Sequence, residues 1–397
     1  MSQNPSRLPA LLGGYPIKED LIPSIICSAL YVALLPLFFY RLIRKTSRTT
    51  VLFTVLAHIV ERSIVFGLRA AISPEPRSDE GFNESAGLME YLQTTLFMGI
   101  VPISQDLAML VRTILVNATY GSEAAKEIPR LQEQALYSES ESDVENAAKS
   151  SPLDWREDAV SLKTFQMRSA WSFSGTTVVQ EEAEEYPDHP RLRFLFRRTH
   201  TGMLFIFLVV FITGLIGNCR LILQRNNPVE LRENEILRYV SASLSVAVLL
   251  FMNVAVIWAR STMPRLNKNA TRYIFLITAL LLISAIYRFT VMSKHTTAYY
   301  SFESSAQNQL SAKVLFYLIG ILPEWLAVLV CLSINVRRVF QTGYDGDTRW
   351  RDETPAEKER RLLREKEKEL KKGNGLITVP VISKLSRGRF VLPLISS

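Results

Sequence analysis

The chain has 397 residues, 48% hydrophobic and 21% charged, with a mean hydropathy of +0.12. That apolar content excludes a disordered or collagen-like chain, and the segregation of charge argues against an ordinary water-soluble protein. The net charge of +8 does not imply a nucleic-acid partner, because much of it flanks long apolar runs instead of forming a basic patch on a soluble fold.

The first twenty residues, Met1–Asp20, are polar and hold Pro5, Pro9 and Pro16. They lack the basic start of a cleavable signal peptide, so the first apolar run is expected to act as its own insertion signal. A membrane-crossing helix needs roughly 20 mostly apolar residues to cover ~30 Å of hydrocarbon. Seven stretches qualify: Leu21–Leu42, Val51–Ala71, Leu88–Leu115, Thr201–Leu223, Ile236–Ala259, Tyr273–Met292 and Lys313–Val336. The expected fold is therefore all-α, a polytopic integral membrane protein built as a bundle of seven transmembrane helices.

Basic loops orient such a bundle. Arg41, Arg44, Lys45 and Arg48 make the first loop cytoplasmic. Arg191, Arg193, Arg197 and Arg198 do the same for the end of the third, and Arg260, Arg265, Lys268 and Arg272 for the fifth. The second loop, Ser73–Gly87, is acidic and carries Asn83-Glu84-Ser85, a glycosylation acceptor pattern that fits an external loop. All loops agree on an N-terminus outside and a C-terminus in the cytoplasm. Two further acceptor patterns, at Asn117 and Asn269, fall on the wrong side of this topology and read as chance matches. The predicted organisation is a short external N-terminus (1–20), membrane helices over 21–118, a cytoplasmic loop (119–198), membrane helices over 199–336 and a cytoplasmic tail (337–397). Sequence does not distinguish plasma membrane from endomembrane.

The long loop is acidic and Ser-rich: residues 121–189 hold 6 Lys and Arg against 15 Asp and Glu. It is expected to be largely disordered. Ser138, Ser140 and Ser142 are each followed three residues on by an acid, which makes them phosphorylation candidates for an acidophilic kinase. The tail carries 15 basic against 9 acidic residues. Its Thr354-Pro355-Ala356-Glu357 reads as a capping box with Pro at the first helical position, opening a charged helix over 355–372. Anionic lipid or a cytosolic partner would suit the loop or the tail.

Ionisable residues at membrane depth are costly and usually face the bundle interior. The second span carries His58, Glu61, Arg62 and, farther out, Arg69. The third carries Gln93, Gln105, Asp106 and Arg112, with Pro102 mid-helix. Arg288 lies near the outer end of the sixth, and Glu324 follows Pro323 near the middle of the seventh. At 1.5 Å of rise per residue, Glu61, Arg62 and Glu324 share a layer near the midplane, with His58 and Asp106 about one turn to the cytoplasmic side. The candidate polar cluster is therefore His58, Glu61, Arg62, Gln105, Asp106, Arg288 and Glu324. Arg62 has three candidate partners, Glu324, Asp106 and Glu61. The cluster reads either as an interhelical network that fixes register or as a site for an amphiphile headgroup or a proton, with His58 as the proton-linked group. Gly214, Gly217, Ser241, Ser245 and Ala247 supply small surfaces for close helix approach.

No nucleotide-binding P-loop is present, no nucleophile elbow, and only His58 of the four histidines lies well inside a span, which argues against a zinc site. Cys27, Cys219 and Cys331 are too few for a disulfide scaffold. No enzymatic activity, cofactor or metal is expected.

Several segments resemble the fungal lipid-translocating exporter family, whose founding members are linked to aminocholesterol resistance and sphingoid-base export. Tyr91-Leu92-Gln93 through Ile100-Val101-Pro102 to Leu110-Val111-Arg112 is similar to that family's third helix. Ile286-Tyr287-Arg288-Phe289 resembles its Phe-Arg signature. Tyr317 and Leu322-Pro323-Glu324-Trp325-Leu326 resemble its seventh helix, and Glu61, Gly67 and Arg69 its second. The resemblance covers the membrane core, roughly 250 residues by span arithmetic. Glu324 stands where the family has an apolar residue, and the loop 120–191 is longer than the family's. The resemblance implies translocation of a lipid-like amphiphile without an ATPase of its own, with membrane lipids and a small amphiphilic substrate as partners. A seven-helix receptor and a scaffold recruiting cytosolic partners are the alternatives. The receptor fits less well: the third span ends Val111-Arg112-Thr113, not acid-Arg-Tyr, and the seventh has no Asn-Pro-x-x-Tyr.

Overall fold

A computed structural model describes residues 8–74, 86–121, 187–222, 227–296, 307–342 and scattered positions between 351 and 367. Asn83, Ser138, Ser140, Ser142 and most of the long loop lie outside the described residues. Seven helices are long and apolar enough to cross a membrane: α1 (Lys18–Ile43), α2 (Val51–Ile72), α3 (Ala86–Ala118), α4 (Pro190–Cys219), α5 (Pro228–Thr262), α6 (Lys268–Met292) and α7 (Leu310–Ser333). A short α8 (Val336–Val339) follows.

Several helices outrun the apolar stretches that announce them, because polar first turns are capped. Pro228 and Pro190 occupy first-turn positions where a missing N–H costs nothing. The Asn227 side chain accepts from the Val229 amide at 3.2 Å. Asn267 accepts from the amides of Asn269 and Ala270 at 3.0 and 3.2 Å, a contribution of about 1 kcal/mol per cap. The acceptor pattern at Asn269 is thus part of a helix start. At the other end, Arg41 closes α7, donating to the carbonyls of Leu332, at 2.8 Å, and Ser333, where a cation complements the helix dipole.

The side chains sort as a lipid-solvated bundle would sort them. Large apolar residues point outward without protein cover, among them Ile22 (68% exposed), Phe205 (67%) and Val254 (62%). In water such a surface would drive association. The inward stripe of α4 runs Arg193, Phe196, Arg197, His200, Met203, Phe207, Val210, Gly214 and Gly217, spaced three and four apart as one helix face requires. That stripe meets α5 and α3. A Cβ on Gly214 would fall 2.6 Å from Ser241 Oγ, and one on Gly217 3.0 Å from the Asn234 carbonyl, so both glycines permit the close approach. Ser241 donates to the Val210 carbonyl at 2.8 Å across that contact. Ala247, expected on the packing surface, is exposed. Of the seven helices, α3 is the most buried and α1 the least.

Three helices are interrupted at mid-length. In α1, the helical pattern lapses at Ala33–Leu34, just before Pro36. In α3 it lapses at Gly99, three residues before Pro102. In α7 a π-helical turn spans Phe316–Ile321 and Pro323 follows. The extra residue of a π turn absorbs the clash that a proline ring makes with the preceding turn.

The first described residues turn back into one end of the bundle. Leu8–Pro9 (β1) pairs antiparallel with His295–Thr296 (β2). Leu12 exchanges two hydrogen bonds with the Gln93 side chain, at 2.7 and 3.1 Å. Gly13 and Gly14 have φ of 70° and 62°, a region that favours glycine. A Cβ on either would fall under 3 Å from Phe316 or Asn308. Ala10, Leu11, Leu12, Tyr15 and Ile17 are all buried.

The tail from Arg351 is a separate unit. Its capping box is present: Thr354 donates its amide to Glu357 at 2.9 Å and Glu357 donates its amide to Thr354 Oγ1 at 3.4 Å. The Thr354 hydrogen bonds hold the Glu357 carboxyl below the usual carboxylate range. Helical positions continue to Glu367 among the described residues.

Candidate functional site: three polar layers in the bundle

The central layer is organised on one carboxylate. Glu324 projects from the first α-helical turn after the π segment and is fully buried. Arg62 of α2 reaches its Oε1 through Nε at 2.8 Å and Nη2 at 2.7 Å. Arg288 of α6 reaches Oε2 through Nη2 at 2.5 Å. His58, one turn before Arg62, places Nε2 3.1 Å from Oε1. Each arginine uses its remaining arm on the interrupted α3: Arg62 on the Thr95 carbonyl at 3.1 Å, Arg288 on the Phe97 carbonyl at 2.7 Å. Gly99 is what admits Arg62, since a Cβ there would overlap the guanidinium. Tyr31 of α1 packs edge-on to His58 at 5.9 Å. Its buried hydroxyl, and Nδ1 of His58, have no hydrogen-bond partner among the described residues.

Four of the seven sequence-predicted residues therefore meet: His58, Arg62, Arg288 and Glu324. Three do not join them. Glu61 is half-buried and makes no ion pair with a described residue. Asp106 is half-buried and, among the described residues, accepts only a 3.5 Å hydrogen bond from Thr54. Gln105 is exposed: it sits on the outward side of α3, between inward-facing Ser104 and Leu107, because each residue turns about 100° around the axis. Of Arg62's three candidate partners, Glu324 is the one it takes.

A second layer, at the end sealed by the N-terminal segment, has the same design. Asp20 Oδ2 accepts from Lys313 Nζ at 2.5 Å and from Arg69 Nη2 at 3.1 Å, and Oδ1 accepts from the Tyr317 hydroxyl at 3.1 Å. Lys313 also donates to the carbonyls of Gly13 and Tyr15, at 2.8 and 2.6 Å. Arg69 donates to the Gly13 carbonyl at 2.5 Å. Sequence reading noted Arg69 but missed Asp20 and Lys313, which sit at span edges where charge is ordinary. The signal was available as apolar Leu8, Leu11, Leu12, Tyr15 and Ile17 in a stretch whose mean looked polar.

The third layer lies at the opposite end. Arg112 of α3 donates Nη1 to His200 Nδ1 of α4 at 3.3 Å, beside an apolar cleft between α3, α4 and α5. Below it the long loop begins and ends at one point. The His189 amide donates to the Thr119 carbonyl at 3.0 Å, the Gly121 amide to Asp188 at 3.2 Å, and Arg193 grips both Asp188 oxygens at 2.8 and 3.0 Å.

The cysteines are all free, and no cluster of three metal-ligating side chains occurs among the described residues. What the central layer offers chemically is an excess of positive charge: two guanidiniums face one carboxylate, with an imidazole beside it. Comparison with protein families, with characterised proteins and with solved structures gives no match to this chain.

Proposed function

We propose that the chain is a multi-pass membrane protein, N-terminus outside and C-terminus cytoplasmic, that translocates a lipid-like amphiphile without an ATPase of its own. One observation carries the reading. A buried cluster with an excess of positive charge and unused hydrogen-bonding capacity stands where α1, α3 and α7 are interrupted. Buried charge at mid-membrane depth is costly, and its default reading is functional. Discontinuous helices meeting near the midplane are the arrangement by which secondary transporters bind and release their cargo. In this reading Arg62 and Arg288 exchange Glu324 for an anionic headgroup as the bundle changes shape, and Tyr31 and His58 supply further hydrogen bonds. No catalytic step is involved.

The test is flux of fluorescent phospholipid and sphingoid-base probes in proteoliposomes. Native protein is compared with a triple variant, Arg62→Met, Arg288→Met and Glu324→Met, which removes the charges together and so leaves no buried charge unpaired. Native flux lost in the folded triple variant is the expected result. Absence of flux for every probe from folded native protein, or native flux in the triple variant, would overturn the proposal.

A further inference from the structure

Asp106 is a carboxyl that the three polar layers leave unused. It stands twelve residues before the end of α3 at Ala118, about 18 Å along the axis, inside a helix long and apolar enough to cross a membrane. Asp20, Glu324 and Asp188 each have a cation on them. Asp106 makes no ion pair with a described residue, and the long hydrogen bond from Thr54 Oγ1 falls on its Oδ1. Its Oδ2 is buried and has no hydrogen-bond partner among the described residues.

The surroundings explain why no cation reaches it. This half of α3 packs on α2, α4, α5 and α6. α2 presents Thr54 to Asp106, and the titratable groups four and eight positions on, His58 and Arg62, are both engaged with Glu324. α4 carries His200, which is hydrogen-bonded to Arg112, six residues farther along α3. α5 holds no titratable side chain between Tyr239 and Arg260, and α6 none between Tyr273 and Tyr287. On α7 the group within electrostatic reach is the thiol of Cys331, which is no cation.

An ionised carboxylate here would keep one oxygen buried with neither a donor nor a counter-charge, and a group so placed is relieved by taking up a proton. The neutral carboxyl still has a carbonyl oxygen to accept from Thr54. The closed surface around Oδ2 also selects the ligand. A proton binds there without displacing a neighbour, whereas an ammonium group or a metal ion needs room at the oxygen itself.

We infer that Asp106 is a proton-binding site, which holds a proton at neutral pH and exchanges it with water. The residue as a whole is half-buried, so the exchange needs only a local opening between α2 and α3. The site does not depend on translocation and is measured without flux.

Infrared spectroscopy reads the proton directly. The full chain and Asp106→Asn are compared at pH 7 in a detergent that carries no ester group. The difference spectrum, native minus variant, is expected to show the carbonyl stretch of a neutral carboxyl. That band is expected to shift down in heavy water as the bound proton exchanges. A carboxylate stretch in its place overturns the inference, and so does a neutral band that stays put in heavy water. Should Asp106→Asn not fold, the native chain decides alone through dicyclohexylcarbodiimide, an apolar reagent for protonated carboxyls. The carboxyl oxygen adds to the central carbon of the carbodiimide and the proton passes to one nitrogen. An acyl shift from oxygen to nitrogen then leaves a stable N-acylurea, with no leaving group. Peptide mapping after reaction at pH 7 is expected to find about tenfold more label on Asp106 than on Glu324, whose oxygens are held by two guanidiniums. Label on Glu324 equal to or above that on Asp106 overturns the inference.

Discussion

Asp20 and Glu324 are each a buried carboxylate held between two cations, yet the two clusters are anchored differently. Around Glu324 every partner comes from a membrane helix: α2, α6 and α7 supply the side chains, and α3 supplies the carbonyls. Around Asp20 the carbonyls belong to Gly13, Gly14 and Tyr15, in a segment with no helix of its own. The same chemistry thus braces helices in the centre and fastens a strap at the end. A brace fails only when helices part. A strap can leave while the helices stay.

The largest expected effect comes from breaking the brace. Glu324→Gln leaves two guanidiniums buried against a neutral amide, and loss of one partner of a buried pair costs about 3–5 kcal/mol. The triple methionine variant is expected to be at least as stable as native protein, because removing all the charges also removes their desolvation cost. Thermal unfolding of both in detergent checks the contrast. A Glu324→Gln protein as stable as native would mean that the cluster is not a brace.

Asp20→Asn is expected to act more locally. It removes the carboxylate that Lys313 and Arg69 share, so the segment 8–20 should detach before the bundle unfolds. Limited proteolysis within Leu11–Tyr15 should rise, while the midpoint of global unfolding moves less than in Glu324→Gln. Equal loss of both would show that strap and brace are one cooperative unit.

How much of this was legible in the sequence follows from the same contrast. The spans were readable because about twenty apolar residues in a row have few other uses. The layer shared by Arg62 and Glu324 was readable because depth follows from rise per residue. Facing was not, since α3 is the most buried of the seven helices and packs on nearly every side, so its apolar residues do not mark which side Gln105 or Asp106 takes. The strap was hidden because its apolar residues are few and are interrupted by Pro9, Gly13, Gly14 and Pro16, which read as turn and loop. The arginines' second partners were hidden because carbonyls leave no trace in a sequence.

Gly99 sharpens the picture at smaller scale. A Cβ at this position would overlap Arg62, whereas one at Gly67 in α2 would meet nothing within 4 Å. Gly99→Ala is expected to cost about 1–3 kcal/mol, as overpacking does, and to loosen Arg62 from Glu324. Gly67→Ala is expected to gain up to about 1 kcal/mol from helix propensity. A pair of melting curves decides it, and equal curves would remove Gly99 from the cluster.

The smallest effect is expected at the loop junction, where a carboxylate of the same kind meets water. The two-pronged hydrogen bond from Arg193 holds the Asp188 carboxyl below the usual carboxylate range, but the Asp188 side chain is 46% exposed. A depressed carboxylate stabilises the fold at pH values above its unfolded pKa, and that contribution is lost as pH falls through the folded one. The loss belongs below about pH 4. Because exposed pairs contribute about 0.2–1 kcal/mol, Asp188→Asn should lower stability at pH 7 by no more than that and be indistinguishable from native near pH 2. Unfolding measured at the two pH values checks the sign. A deficit that persists in acid would show that Asp188 does not act through its charge. Deleting 122–186 and joining Gly121 to Tyr186's successor, Pro187, should then leave the bundle's melting point close to native, because Thr119 and His189 are already hydrogen-bonded across the junction.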